Sequence, residues 1–373
     1  MVSRPLYLSA SVGAFMFSMF CFMTLMERGA AELMPVAVVD LDQTSISRRL
    51  IHEMQSTPSI DIQLITSSYP EAREAMQRGK VYGIFVIPSD FYRNLVSFKR
   101  PRVDFYITNA YTVGGNTAYK QMMTMANLVS GAFQREVLRK KGMTDDVIMH
   151  RIQPIAVEGH MIANPWGNYM IYLVSIVLPG ILGVIALILT IFAVGFELKS
   201  RSSVEWLKAA GNNYTVAMIG KLIPYTVLYL TLGFVCYLML FTVAGFPVTG
   251  SHWRLLFGLL LFIMAMEMMG VVLIGLLPRL RDALSIGALY SMLGFSLSGF
   301  TYPNMGMLPF VRALSYIEPL RHYYLIYVNE ALMAAPFSNS IPAALALVAF
   351  MIPALCVAPR LHHALKYQNY PIN

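Results

Sequence analysis

This sequence is short of charge. Asp, Glu, Lys and Arg make up 13% of its 373 residues, roughly half the share found in an average soluble domain. Hydrophobic residues reach 57% and the mean hydropathy is +0.57. A water-soluble core cannot hide that much apolar surface, so the bilayer acts as solvent for part of the chain. Cysteine is nearly absent as well. Cys21, Cys236 and Cys356 all fall inside apolar runs, which excludes a disulfide framework elsewhere and says nothing of redox compartment. No Gly-x-x-x-x-Gly-Lys-Ser/Thr is present. Gly220-Lys221-Leu222 lacks both the upstream glycine and the hydroxyl residue, so this chain is not expected to hydrolyse ATP. The net charge of +8 does not signal nucleic acid. Positions 27–165 carry 16 Lys/Arg against 14 Asp/Glu, and no basic stripe with interleaved aromatics appears. No cofactor and no metal site are expected. His362, His363 and Lys366 offer too few ligands and read as a basic tail at the membrane surface.

Six apolar stretches are long enough to cross about 30 Å of hydrocarbon: 6–25, 169–194, 216–244, 255–277, 284–300 and 341–358. The first is longer than the apolar core of a cleaved signal, about 7–15 residues. Although Gly29-Ala30-Ala31 would suit a cleavage site, a retained anchor is expected. Short-loop charge sets the orientation. Arg4, Lys199, Arg201, Lys208, Lys221, Arg279, Arg281, Arg360 and Lys366 fall at one face, and Arg254, Arg312 and Arg321 at the other. Positive-inside bias then places both termini in the cytoplasm and the segment after the first span outside.

That segment alternates between two periods. Val36 to Val39 is β-rich and closes on Asp40; 60–65, 81–87 and 103–108 read as further strands. Helices are expected over 45–54, from Ser68 with Pro70 and Glu71 as start signals to Gly79 as stop, over 90–98, and over about 115–141. The expected architecture is therefore an α-helical integral membrane protein of six transmembrane helices with an inserted α/β extracytoplasmic domain. Its divisions are 5–26 for the first helix, 27–166 for the outer domain and 167–366 for the other five helices. Asp40-Leu-Asp42-Gln-Thr44 matches the phosphotransfer signature of haloacid-dehalogenase-like enzymes, with Asp145-Asp146 as a conceivable downstream acidic pair. The preferred reading is a strand-end turn in which the two carboxylates accept backbone N–H bonds and Thr44 caps the next helix.

Three stretches together resemble the ABC-2 type of ABC transporter permease, in the exporter subclass with a large outer loop after the first span. Leu33-Met-Pro-Val-Ala-Val-Val-Asp40-Leu-Asp42-Gln-Thr-Ser-Ile-Ser47-Arg-Arg is similar to that family's opening of the outer domain, continued by Ala72-Arg73, Gly79-Lys80 and Ile87-Pro88-Ser-Asp90-Phe91. Glu197-Leu-Lys199-Ser-Arg201-Ser-Ser-Val-Glu205-Trp206-Leu207 resembles its cytoplasmic segment between spans two and three. Ser298-Gly299-Phe300-Thr-Tyr302-Pro303, Met307-Leu308-Pro309 and Leu314-Ser315-Tyr316-Ile317-Glu318-Pro319-Leu320 resemble the stretch after span five. Two departures stand out: only Met1 to Arg4 precede the first apolar run, where the family usually has an amphipathic helix, and Ser202-Ser203 replaces its usual Gly-Thr.

The resemblance implies a permease half working with two ABC ATPase subunits, a second permease copy or homologue, surrounding membrane lipid and, as a further contact, a periplasmic adaptor. A bacterial inner membrane is the implied location. The expected coupling element is 197–211, in which Glu197, Arg201, Val204 and Glu205 would share a helix face and Val204, Trp206 and Leu207 would anchor the ATPase; Lys199 completes the set. A solvated topogenic loop is the competing reading. Glu267, in mid-span, either lines a transport path or serves as a structural hydrogen-bonder. Pro303, Glu318 and Pro319 suggest re-entrant helices over 300–335 as an exit gate, against the preferred reading in which Glu318, Arg321, His322 and Glu330 form exposed interfacial pairs. With no polar cage visible, the expected cargo is amphiphilic or hydrophobic. The rival function is a membrane-anchored scaffold or receptor whose outer domain binds a ligand without transport.

Overall fold

A computed structural model describes residues 5–27, 29, 33–56, 60–97, 102–108, 112–152, 163–164 and 167–368. Arg4, Ala30-Ala31 and parts of the expected boundaries near 27 and 166 lie outside the described residues. The chain divides into a mixed unit, Ala30–Gly159, and a helical unit made of Met1–Gly29 with His160–Asn373. Helix α1 (Pro5–Leu25) belongs to the helical unit.

The mixed unit is built on a four-stranded sheet in the order β2-β1-β3-β4. Strand β1 (Met34–Asp40) runs parallel to β2 (Ile60–Thr66) and β3 (Gly83–Ile87), while β4 (Asp104–Ile107) is antiparallel to β3. Because β1 is central, both of its faces are covered, and Val36 to Val39 are fully buried. Helix α2 (Ser45–Gln55) lays Leu50, Ile51 and Met54 on the face carrying Val36 and Val38; α3 (Tyr69–Gln77) lays Ala72 on the face carrying Ala37 and Val39. Thr44 caps α2 reciprocally with Ser47. Asp40 Oδ1 accepts from the Asp42 and Gln43 amides at 3.1 and 2.9 Å, and its Oδ2 from Ser47 Oγ at 2.8 Å. Both carboxylate oxygens are thus committed to the turn that joins β1 to α2.

The start of α3 differs from expectation. The Ser68 side chain makes no cap, and Glu71 instead accepts from Thr66 Oγ1, which itself accepts from the Ser68 amide. Short α4 (Phe91–Val96) precedes β4. Long α5 (Thr112–Lys140) turns back into α6 (Asp145–Ile152), and Arg135 pairs with Asp145 at 3.1 Å. That hydrogen-bonded guanidinium holds the Asp145 carboxyl below the usual carboxylate range.

The helical unit is organised around α7 (Tyr169–Lys199), which packs against α9 (Tyr214–Leu238), α10 (His252–Leu276) and α11 (Leu280–Leu297), with α8 (Ser203–Ala209) forming a short link. Small residues set the spacing. A Cβ at Gly270 would lie 2.9 Å from the Leu187 carbonyl oxygen, so α10 meets the backbone of α7 directly. Beyond α11 come α12 (Pro309–Ser315), α13 (Pro319–Tyr327), a π-helical turn over Val328–Leu332, α14 (Ile341–Ala349) and α15 (Ile352–Tyr367).

Among the described residues four helical segments are long and apolar enough to cross a membrane by length and composition: Tyr169–Lys199, Tyr214–Val243, His252–Leu276 and Phe337–Tyr367. Six were expected. Of the other two expected spans, α1 is an apolar helix of 21 residues, and α11 has 18 residues diluted by Arg281, Asp282 and several Gly and Ser.

The segment before α10 is tied to the π turn. The Thr249 and Gly250 amides donate to the Ala331 and Glu330 carbonyls at 3.0 and 2.8 Å, and a Cβ at Gly250 would stand 2.4 Å from that Glu330 oxygen. Since the obstacle is backbone, Gly250→Ala is expected to lower stability by about 1–3 kcal/mol, read as a fall in Tm of the detergent-solubilised protein.

Candidate functional site

A tight bend separates α7 from α8. Helix α7 ends at Lys199, where Arg201 turns left-handed at φ +59° and the Ser202 amide donates back to the Glu197 carbonyl at 3.1 Å. The bend is pinned from the C-terminal helix: Ser203 Oγ donates to the Leu365 carbonyl at 2.8 Å and Gln368 Nε2 to the Arg201 carbonyl at 2.7 Å. The single helix face expected for Glu197, Arg201, Val204 and Glu205 therefore does not form. Glu197 sits on the last turn of α7, Arg201 in the bend, and Val204 and Glu205 on α8.

Glu197 is an internal partner. Its carboxylate pairs with Lys221 of α9 and accepts from Ser202 Oγ, with the Glu197 and Lys221 side chains 21% and 16% exposed. The Lys221 ammonium also stands 4.5 Å above the centre of the Trp206 ring. Trp206 is half-buried and Leu207 is buried, so both anchor α8 to its own chain rather than offering an open apolar patch. What faces outward is Lys199, Arg201, Glu205 and Lys208, a charged surface on a rigid elbow, with Val204 half-buried beneath it.

Glu267, 1% exposed, sits in the middle of α10. Thr226 Oγ1 of α9 donates to its Oε2 at 2.7 Å. Its Oε1, the Tyr229 hydroxyl and Thr190 Oγ1 are buried and find no hydrogen-bond partner among the described residues, and Tyr229 lies beside both Thr190 and Glu267. Three helices thus converge on a polar island inside an apolar unit.

Glu318 is elsewhere, against α11. A Cβ at Gly294 would lie 2.9 Å from its Oε2, and Tyr290 Oη donates to the neighbouring Ile317 carbonyl at 2.8 Å. Pro319 is buried at the start of α13, while Pro303 is exposed and opens a 3-10 turn, Asn304–Gly306. Among the described residues no hydrogen bond or ion pair joins Glu267 to Glu318.

Residues 7–358 match the family described as ABC-2 family transporter protein. The chain belongs to that family. Among the relatives of this ABC-2 permease is "Probable multidrug ABC transporter permease YbhS" of Escherichia coli strain K12, 27% identical over 280 residues that cover 73% of this chain and 70% of the relative. Another is "Inner membrane transport permease YhhJ" of the same organism, 22% identical over 303 residues, 79% of this chain and 76% of the relative. As a multi-pass membrane permease, the protein is a transport subunit rather than an enzyme.

Several partners in this ABC-2 permease gave no local signal in the sequence. Lys221 lies 24 positions from Glu197 and reads there only as an orientation charge. The expectation of exposed interfacial pairs in the outer segment is overturned: Glu318, Arg321, His322 and Glu330 are 3%, 6%, 6% and 0% exposed. Arg321 donates to Ser315 Oγ at 2.7 Å and stacks on Tyr316, 4.2 Å from the ring centre. Glu330 takes Ser340 Oγ at 2.8 Å and faces Arg254 Nε at 2.7 Å, whose guanidinium rests over Phe337. Glu330→Ala would strand both partners. The expected loss is about 3 kcal/mol, the low end for a broken buried pair because Arg254 keeps access to water. Glu330→Gln, which retains the Ser340 bond, is expected to lose less; thermal unfolding of the two variants side by side checks the order.

Proposed function

We propose that this chain is the membrane half of an exporter, driven by two copies of a separate ABC ATPase and completed by a second permease copy or homologue. In this reading the α7–α8 elbow faces the cytoplasm and receives the ATPase through Lys199, Arg201, Glu205 and Lys208. The Glu197–Lys221–Trp206 cluster passes its motion into α7 and α9. Both termini lie in the cytoplasm of a bacterial inner membrane, and the unit spanning 30–159 lies outside, where it shapes the exit or meets a periplasmic adaptor. Val216, Ile219, Ile223 and Val227 are each more than half exposed at helical spacing along α9, which supports a face turned to lipid or to the second permease. The cargo is amphiphilic or hydrophobic, in keeping with the multidrug designation of one relative.

The observation that carries this reading is the elbow: an internally braced bend whose exposed side chains include Lys199, Arg201, Glu205 and Lys208, placed where the family motif falls. Its test is ATP-dependent accumulation of a lipophilic fluorescent dye in inside-out vesicles, together with recovery of an ATPase with the detergent-purified protein. Glu205→Lys is expected to reduce both and leave Tm unchanged, because Glu205 is exposed. Dye uptake without ATP dependence, or an ATPase that stays bound and fully coupled in Glu205→Lys, would count against it.

A further inference from the structure

The mixed unit contains a cleft of about 490 Å³, within the range of about 300–1,000 Å³ usual for small-molecule sites. It runs between α2 and β2, which is an edge strand of the sheet. Its upper end lies at the carboxyl ends of the parallel strands β1 and β2, where α/β folds commonly place their ligands. Helix α2 presents Arg48, Ile51, His52 and Gln55 to it, positions three and four apart and therefore on one face. The strand side supplies Ile65, 52% exposed although apolar, and Ser67.

The chemistry of that lining is selective. Arg48 Nε donates to the Thr44 carbonyl at 3.3 Å, which fixes the guanidinium while its remaining N–H groups stay exposed, and no carboxylate pairs with it among the described residues. His52 follows one turn on, also exposed. Asp40 lines the floor, where its carboxylate already accepts three hydrogen bonds in the β1–α2 turn, so what it adds to the cleft is chiefly negative charge. One fixed cation facing a buried anion favours a singly charged ligand over a dianion. Ile51 and Ile65 then provide a wall for an apolar body. From this arrangement we infer that the cleft binds a small organic acid, a carboxylate carried on a flat or compact apolar group, with Arg48 gripping the carboxylate and Ile65 packing against the body. This site is independent of the export reading.

The test uses the full-length protein in nanodiscs of charge-neutral lipid, titrated with 1-naphthoate and followed by saturation-transfer NMR. Saturable binding with a Kd on the order of 0.1–1 mM is expected. Removing a charge-assisted hydrogen bond should weaken it about tenfold or more in Arg48→Gln and further in Arg48→Gln/His52→Gln. Arg49→Gln, an exposed neighbour outside the cleft, should stay within about twofold of the unaltered protein on the same scale. The neutral 1-naphthylmethanol should bind at least about tenfold more weakly, because it cannot pair with Arg48. Equal binding of the alcohol, an equal loss in Arg49→Gln, or displacement of naphthoate by a lower concentration of inorganic phosphate would each overturn the inference. Since the readout is binding alone, its failure leaves the vesicle uptake result untouched.

Discussion

Lys221→Glu is expected to lower ATP-driven transport by at least about tenfold, the larger of two effects that the helical unit makes testable. Lys221 touches both sides of the α7–α8 bend, pairing with Glu197 at the end of α7 and covering the Trp206 ring on α8. Both members of the ion pair are mostly shielded from water, so charge reversal sets two carboxylates together with little screening, a loss of about 3–5 kcal/mol by the measure of broken buried pairs. The elbow would loosen at the one place where α7, α8 and α9 meet. Lys221→Met separates the contributions: it keeps an unbranched apolar stem over Trp206 but loses the charge, and should fall between Lys221→Glu and the unaltered protein. The double swap Glu197→Lys/Lys221→Glu restores opposite charges but places the cation away from Trp206, so partial recovery is expected. Uptake rate and Tm measured on the same preparations tell a coupling defect from misfolding. Normal uptake in Lys221→Glu at normal Tm would remove the brace from the mechanism.

That brace illustrates what the sequence carries and what it hides. Strand and helix order in the mixed unit was legible up to α5 because those elements announce themselves locally: Val36 to Val39 as a valine-rich run, Gly79 as the left-handed stop of α3 at φ +71°, Thr44 as the cap of α2; α6 was not read. The long apolar helices were legible for the same reason. Pairings across the helical unit were not. Nothing near Glu197 points to Lys221, and nothing near Glu330 points to Arg254, because these contacts depend on how helices far apart in sequence come to lie side by side. Helical periodicity also misled at the elbow. It projected Glu197, Arg201, Val204 and Glu205 onto one continuous helix, whereas the left-handed Arg201 ends α7 and two tethers, from Ser203 and Gln368, hold a bend there. Trp206 was legible as an anchor, but its partner is Lys221 of its own chain.

The second large effect concerns Glu267. Thr226 supplies one hydrogen bond to its carboxyl, while Oε1, the Tyr229 hydroxyl and Thr190 Oγ1 remain as a buried polar group spread over α7, α9 and α10. Such groups are costly unless they satisfy one another or serve a purpose, and the direction of the loss on substitution separates the two readings. An amide can still accept from Thr226 through its oxygen and gains N–H donors for Tyr229 and Thr190. If Glu267 is a structural hydrogen-bonder, Glu267→Gln keeps Tm and uptake. Glu267→Leu removes the side-chain acceptor of Thr226, which keeps only the Leu222 carbonyl, and sets a branched hydrocarbon against the Tyr229 and Thr190 hydroxyls, at about 1–3 kcal/mol for a buried polar group left unsatisfied. The arrangement favours this structural role: the carboxylate is 1% exposed, enclosed where α7, α9 and α10 meet, and held by the Thr226 hydroxyl. The expected result is therefore an unchanged uptake rate in Glu267→Gln and a sharp loss of folded protein in Glu267→Leu. A Glu267→Gln protein that folds and binds its ATPase normally yet fails to transport would instead assign the carboxylate to the path of the cargo.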